Sequence, residues 1–383
     1  MDYEDLIHRC FRCGFCKLTG DYGEVNCPAY RKFRFETYSP GGRLWLMHAW
    51  LKGEIRTTER FNDIIYSCAT CGNCMEHCVM KFKDDLVRVM TAMKAELVSQ
   101  GIIPPMVRDF LKHIHLYGNP YKQSQDDRAG WAAGHGFPRF KDQEYLFYVG
   151  CAGSYDERGK RIARSAATLF RQAGLSFGVL GSEEICDGNE VKAVGELGLF
   201  EQLARQNIRL LQGKGVGNII TLSPHGYNAM KKEYPVFEGR FNVLHYTQVL
   251  SRLLRDGRIH AGAKTVSATF HDPCYLGRHN REYRAPRDVL RAIPGLRLIE
   301  MEQSCQDALC CGGGGGNFYT DILGRGPESP GRIRIRQALQ TGAEILAVAC
   351  PKCARMLDDA VKIEGREDRI RVLDVSEVLL ESP

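Results

Sequence analysis

Sixteen cysteines stand among the 383 residues, and they fall in tight groups. The first groups are Cys10-x-x-Cys13-x-x-Cys16, with Cys27 following, and Cys68-x-x-Cys71-x-x-Cys74-x-x-x-Cys78. The last are Cys274, Cys310-Cys311-Gly312 and Cys350-Pro351-Lys352-Cys353. Soft thiolates at such spacings bind metals or do redox chemistry. Disulfides would be the alternative in an exported chain. The N-terminus (Met1-Asp2-Tyr3-Glu4-Asp5) is acidic, however, and lacks the basic and apolar regions of a signal peptide, so a reducing, cytoplasmic setting is expected. Structural zinc is the competing metal. Zinc sites usually pair two Cys-x-x-Cys units and rarely use a third cysteine at the same short gap, which favours iron.

Three cysteines at two-residue gaps wrap a loop around a compact cubane so that each thiolate reaches a different iron. The fourth ligand must come from elsewhere, and in two-cluster ferredoxins it comes from the other motif. Cys27, followed by Pro28, reads as the fourth cysteine of the first motif, after an insertion that lengthens the usual three-residue gap to ten. The expected ligand sets are therefore Cys10, Cys13, Cys16 and Cys78 for one [4Fe–4S] cluster, and Cys68, Cys71, Cys74 and Cys27 for the other. Val79 stands where the pattern expects proline, which removes no ligand. Gly14 and Gly72 follow the second cysteine of each motif, where the backbone must come close to the cluster. Arg31, Lys32, Arg34 and Arg43 read as a solvated face, with an acidic partner as the sharper alternative.

In the C-terminal constellation each element sits just past an expected strand or opens a glycine-rich turn. Strand ends converge at one edge of a parallel sheet, so Cys274, Cys310, Cys311, Cys350 and Cys353 face one point. Five thiolates are one more than a tetrahedral zinc or a cubane requires. The run Gly312 to Gly316 has no Gly-Lys-[Ser/Thr] ending and no G-x-G-x-x-G between strand and helix, so it is not a nucleotide loop. Gly312 and Gly313 are expected instead to bring backbone N–H groups toward cluster sulfurs. Cys305 reads as a structural thiol, or as a further ligand. His271, His225 and His279 read as packing or hydrogen-bonding residues, or as proton donors.

These residues need elements to carry them. Leu86, Met90, Met93 and Leu97 recur on one helix face that covers a cluster. Residues 111–142, rich in Gly, Pro, Asn, Gln and Asp, read as a linker or strap. Beyond them, apolar runs at Tyr145–Val149, Asn218–Leu222, Val266–Phe270, Leu296–Met301 and Glu344–Ala349 read as buried strands. Arg158–Ala173, Glu190–Gln212 and Arg332–Gln340 read as helices. This half is an internal repeat: Val243–Leu250 matches Val372–Leu379, with Thr247 and Ser376 as equivalent N-caps. The expected fold is an α-helical ferredoxin domain (1–110), a linker (111–142), and two repeated α/β units with doubly-wound-like parallel sheets (143–262 and 263–383). In the first unit only Cys151 and Cys186 survive; Asp187 replaces the second cysteine of the pair, and Ser223-Pro224-His225-Gly226 the last motif. Two thiolates cannot hold a five-ligand cluster, so this unit is expected to be empty. Its cysteines are then inert buried thiols, or a redox or substrate-contact pair.

The pattern of one cysteine, then Cys-Cys-Gly, then Cys-x-x-Cys resembles the cysteine-rich "CCG" domain of the heterodisulfide reductase family. The domain order resembles its D-type subunit and relatives in lactate, glycolate and anaerobic glycerol-phosphate oxidation. The resemblance covers nearly the whole chain. It implies that Cys274, Cys310, Cys311, Cys350 and Cys353 hold a non-cubane [4Fe–4S] cluster able to act on a disulfide or thiol substrate. It implies equally a pure electron relay between a dehydrogenase or flavoprotein and quinone or ferredoxin, as in benzoyl-CoA reductase assemblies, so the chain's status as an enzyme stays open. Expected partners are a flavoprotein, a membrane cytochrome or a ferredoxin-type protein, with any attachment to the inner face of the membrane made through a partner. Direct membrane insertion is excluded because no apolar stretch approaches the roughly 18 residues a spanning helix needs. A net charge of +6 without a basic run excludes nucleic acid, and no flavin or nicotinamide motif is present.

Overall fold

The computed structural model describes residues 4–380. The N-terminal part is built from short helices and cysteine-bearing loops. Its spine is helix Leu86–Ser99, whose Leu86, Met90, Met93 and Leu97 are all buried as the four-three-four spacing predicts. Lys94 is buried among them, its ammonium donating to the Cys68 carbonyl at 3.0 Å and the Gly315 carbonyl at 3.4 Å. Helix Pro105–Tyr117 follows, so the first residues of segment 111–142 are helical. Within that segment Arg128 and Trp131 are fully buried, which makes it a strap packed on the next unit.

Two four-stranded, all-parallel sheets form the remainder. The first comprises β1 (Tyr145–Tyr148), β2 (Phe177–Gly178), β3 (Asn218–Thr221) and β4 (Asn242–His245), in the order β2-β1-β3-β4. The second comprises β5 (Val266–Phe270), β6 (Leu296–Leu298), β7 (Ile345–Val348) and β8 (Arg371–Asp374), in the order β6-β5-β7-β8. The identical order establishes the repeat. Residues such as Leu146, Phe147, Ile219, Ile220, Ile345 and Leu346 are wholly buried, because helices cover both sheet faces. In each sheet the connections switch side at the two central strands, β2 lying beyond β1 and β4 beyond β3, with β6 and β8 placed likewise about β5 and β7. The ends of β1 and β3, and of β5 and β7, therefore flank a crevice, the position where such sheets hold their ligands.

Several expectations are corrected. Glu190–Gln212 is two helices, Asn189–Ala193 and Leu197–Gly213, because Gly195 at φ +96° lies against the Lys94–Ala95 backbone with no room for a Cβ. β6 stops at Leu298, and β2, β4 and β8 are strands that the apolar runs did not announce. Thr247 and Ser376 are equivalent but lie inside their helices. The residues that cap are His245, whose Nδ1 lies 2.7 Å from Thr247 Oγ1, and Asp374, whose Oδ1 accepts from Ser376 N (2.9 Å) and Oγ (2.7 Å). The halves are joined at these caps: Tyr246 donates to Asp374 at 2.7 Å, and Arg158 reaches Glu377 and the Val372 carbonyl. No helix among the described residues is long and apolar enough to cross a membrane.

Candidate metal centres

The fold sorts the eight N-terminal cysteines into two neighbourhoods. Cys10, Cys13, Cys16 and Cys78 influence one another electrostatically. Cys27, Cys68, Cys71 and Cys74 line one small cavity, with Cys16 and Cys27 close enough to link the two groups. Backbone N–H groups are aimed at the sulfurs: Arg12 at Cys10, Gly41 at Cys16, Met80 at Cys78, Tyr30 at Cys27 and Asn73 at Cys71. Burial pushes the Cys16 thiol up to about 12 and the Cys27 thiol to about 11. Such thiols stay protonated alone and ionise only when a metal displaces the proton. Soft donors in fours, with amides directed at them, fit iron–sulfur clusters. Gly14 (φ +83°) and Gly72 (φ +76°) turn the two loops; a Cβ on Gly72 would press on the His279 ring. Arg43 does not lie on a solvated face. It is buried beside Cys27, donating to the Ile64 carbonyl (2.8 Å) and Ser67 Oγ (2.7 Å).

The five C-terminal cysteines meet at the crevice of the second sheet, Cys274 after β5 and Cys350 and Cys353 after β7, and all are buried. Cys310 and Cys274 sulfurs are 3.8 Å apart, those of Cys311 and Cys353 3.4 Å. His271 joins Cys311 and Cys353 in a group whose donor atoms lie within 4.8 Å of one another. Its Nδ1 accepts from the buried Arg334 at 3.2 Å. Gly312, at φ +90°, brings its N–H to 3.3 Å from Cys310 Sγ, and Gly313 passes beside Cys311 Sγ. The next three glycines do something else. A Cβ on Gly314 or Gly315 would fall on the Ala69 or Cys68 carbonyl oxygen, and one on Gly316 on Val194. The glycine run is where the C-terminal loop docks, backbone to backbone, on the second cysteine motif.

That docking brings Cys71 and Cys310 within electrostatic reach of one another. Arg278 seals the junction, donating to the carbonyls of Cys71 (2.8 Å) and Ala308 (2.6 Å). Burial opposes its charge, but the thiols of Cys71, Cys274 and Cys310 raise its pKa further. Thr70 Oγ1 lies 3.0 Å from the Tyr275 hydroxyl, and His279 bonds the Thr70 carbonyl while stacking on Tyr275. The ten-residue gap between Cys16 and Cys27 clamps the same junction: Gly20 N and Asn26 Nδ2 reach Asp307 at 2.7 and 2.9 Å.

The first repeat faces this site. Cys151, Cys186, Asp187 and Ser223 line one cavity with Glu190 and Lys352. Glu190 bridges the repeats: its Oε2 accepts from Gly316 N (2.7 Å), and its Oε1 forms ion pairs with Lys352 Nζ (3.0 Å) and His225 Nδ1 (2.6 Å). Burial raises its pKa, yet Lys352 and His225 together hold it well below the carboxylate range. His225 also lies close enough to Cys350 to lower its thiol. Cys305 has no cysteine among its electrostatic neighbours and sits by Asp272, which accepts its N–H at 2.8 Å. Lys94, Glu190 and Arg278 were missed from sequence. Only Lys94 left a signal, as a charge beside Met93 on an apolar stripe.

The comparisons fit this geometry. The "4Fe-4S dicluster domain" model matches residues 6–82, and the "Cysteine-rich domain" model matches 145–231 and 268–358. A probable iron-sulfur-binding oxidoreductase, FadF, of Bacillus subtilis is 35% identical over 87% of this chain and 48% of its own length. An EtfAB:quinone oxidoreductase of Syntrophomonas wolfei is 35% identical over 98% of this chain and 58% of its own length. The chain thus spans about half the length of these two relatives. The D-type subunit of the dihydromethanophenazine:CoB--CoM heterodisulfide reductase of Methanosarcina barkeri is 32% identical over 85% of this chain and 79% of its own length. Among solved structures, a hypothetical protein from Helicobacter pylori shares the fold over 100% of this chain and 72% of its own, with TM-score 0.61 and 10% identity. With both cysteine motifs in place and the methanogen relative matched along most of its length, the chain belongs to the iron–sulfur family of D-type heterodisulfide reductase subunits.

Proposed function

We propose that this chain is the electron-carrying subunit of a redox complex, with three iron–sulfur centres in line from surface to core. Cys10, Cys13, Cys16 and Cys78 would hold an outer cubane, Cys27, Cys68, Cys71 and Cys74 an inner one, and Cys274, Cys310, Cys311, Cys350 and Cys353 a non-cubane cluster. When bound, these groups supply one-electron transfer. The observation that carries the reading is the approach of Cys71 to Cys310, held by Gly314 and Gly315 against Ala69 and Cys68. The chain's own residues fix the spacing of the groups, exclude water and direct amide dipoles at the sulfurs.

Cys13 is the exposed member of the outer group, and Phe11, Phe35 and Val79 are exposed on the same domain. A flavoprotein, membrane cytochrome or ferredoxin-type partner would dock there. The relatives named as a quinone oxidoreductase and a heterodisulfide reductase subunit support this partner class. The first repeat lacks the donors for a cluster and stands beside the third centre.

A second reading, disulfide chemistry at the third centre, is favoured by one feature. A groove of about 370 Å³ borders Gly312, Pro330 and Met356, next to Cys311. That volume suits a small organic ligand. Iron and sulfide analysis of protein purified without oxygen, with EPR of the oxidised, thiol-treated sample, tests both. About twelve irons, four for each cysteine group, are expected. A signal perturbed by thiol supports disulfide chemistry, an unperturbed one supports relay, and about eight irons would remove the third cluster from the scheme.

A further inference from the structure

The first repeat keeps two thiols that the electron-carrying reading does not use. Cys151 follows β1 and Cys186 precedes helix Asn189–Ala193, the positions that Cys274 and Cys310 occupy in the second repeat. In the second repeat that framework brings the two sulfurs to 3.8 Å. In the first, Cys151 and Cys186 lie close enough to shift one another's thiol, both line one small cavity, and Gly188 N lies 3.5 Å from Cys186 Sγ, just as Gly312 N approaches Cys310. With Asp187, Ser223 and Gly226 in place of the other three cysteines, two sulfurs remain, too few for a cluster and the right number for a disulfide.

The surroundings differ from those of an inert pair. Arg128, wholly buried, places Nη2 3.5 Å from Cys151 Sγ and 3.1 Å from Glu184 Oε1, while its Nε and Nη1 have no partner. Glu184 accepts from Val149 N (2.9 Å) and Gly150 N (2.8 Å), which fixes the loop carrying Cys151 against that guanidinium. Cys186 lowers the Cys151 thiol and burial opposes it; Arg128 adds a further lowering. Both cysteines line a cavity of about 20 Å³, room for roughly one water-sized molecule and none for a peptide disulfide. Tyr319 lines this cavity and also the open groove beside Gly312, so it is the wall between the two.

We propose that Cys151 and Cys186 are a redox-active dithiol that a hydroperoxide entering this cavity converts to an intramolecular disulfide, distinct from the three cysteine groups. The Cys151 sulfur attacks one peroxide oxygen; the S–O bond forms as O–O breaks, and the leaving oxygen departs as water with the thiol proton. Cys186 then attacks the Cys151 sulfur; S–S forms, S–O breaks, and a second water leaves with the Cys186 proton. Two thiols are oxidised and one hydrogen peroxide is reduced to two waters, with no other reactant.

The test uses iron-loaded protein prepared without oxygen, titrated with hydrogen peroxide, quenched, alkylated and mapped by peptide mass spectrometry with iron measured in parallel. The expected result is a Cys151–Cys186 crosslinked peptide while iron content is still full. Both thiols remaining alkylatable after iron begins to leave, or each oxidising without a crosslink, overturns the proposal. In Cys186→Ser, with its iron retained, dimedone should label Cys151 as the trapped sulfenic acid; no label counts against it. Arg128→Lys should slow crosslinking severalfold. Oxidised glutathione should leave the pair reduced, and a glutathione adduct on Cys151 would overturn the assignment of a hydroperoxide-sized oxidant.

Discussion

Gly315 illustrates how one residue can set the distance between two centres. Its φ of +63° and the Cys68 carbonyl facing it leave no space for a side chain. Gly315→Ala combines a left-handed backbone with a direct clash, so we expect a loss on the order of 3 kcal/mol, read by thermal unfolding of the iron-loaded protein. A change within about 0.5 kcal/mol, the size of an ordinary surface substitution, would mean that the loop does not need this approach. Arg278, Lys94 and Glu190 act at the same scale. Each is a buried charge whose partners come from distant segments, and such groups are retained only where hydrogen bonds compensate their desolvation.

At the scale of elements, the two repeats use one architecture with opposite chemistry at equivalent caps. His245 is pushed down to about 3 by burial, and Asp374 is raised to about 7 by burial and by Glu377. A folded-state histidine that stays neutral loses stability as pH falls from 6.5 toward 3, because the unfolded chain takes up the proton first. A carboxyl held protonated loses stability as pH rises from 3.8 toward 7, because the unfolded chain releases its proton first. Between pH 3.8 and 6.5 these two slopes oppose one another and largely cancel, so melting temperature should change little across that window. Asp374→Asn removes the carboxyl's share and should leave a melting temperature that falls steadily as pH drops below 6.5; an unchanged profile would assign the titration elsewhere.

At the scale of the molecule, the two parts depend on their cysteines differently. The sheets bury Ile, Leu, Val and Phe on both faces, a core that stands without metal. The N-terminal helices around the motifs are short, such as Pro28–Phe33 and Asn73–His77, and their cysteine loops would be joined through iron. Removing iron with a chelator should expose residues 10–80 to limited proteolysis while residues 145–380 stay resistant. Equal cleavage of both parts would show that the sheets also need the clusters.

How much of this was legible follows from the range of the interactions involved. The cysteine groups, the repeat and the helix of Leu86 to Leu97 are written in local spacing, and local spacing is what a sequence displays. The break at Gly195 and the burial of Arg43 were not legible, because each is set by a backbone or carbonyl far away in the chain. The short strands β2, β4 and β8 carry too few apolar residues to announce themselves, and they form because a neighbouring strand supplies hydrogen bonds. The sequence by itself determined which residues are candidate metal ligands and how they cluster along the chain, since thiol spacing limits what one loop can reach. Only the tertiary structure decided that the glycine run docks on Cys68 and Ala69, that Cys71 comes near Cys310, and that the two repeats face each other across Glu190. Those contacts join segments more than a hundred residues apart, and only packing of the folded domains brings them together.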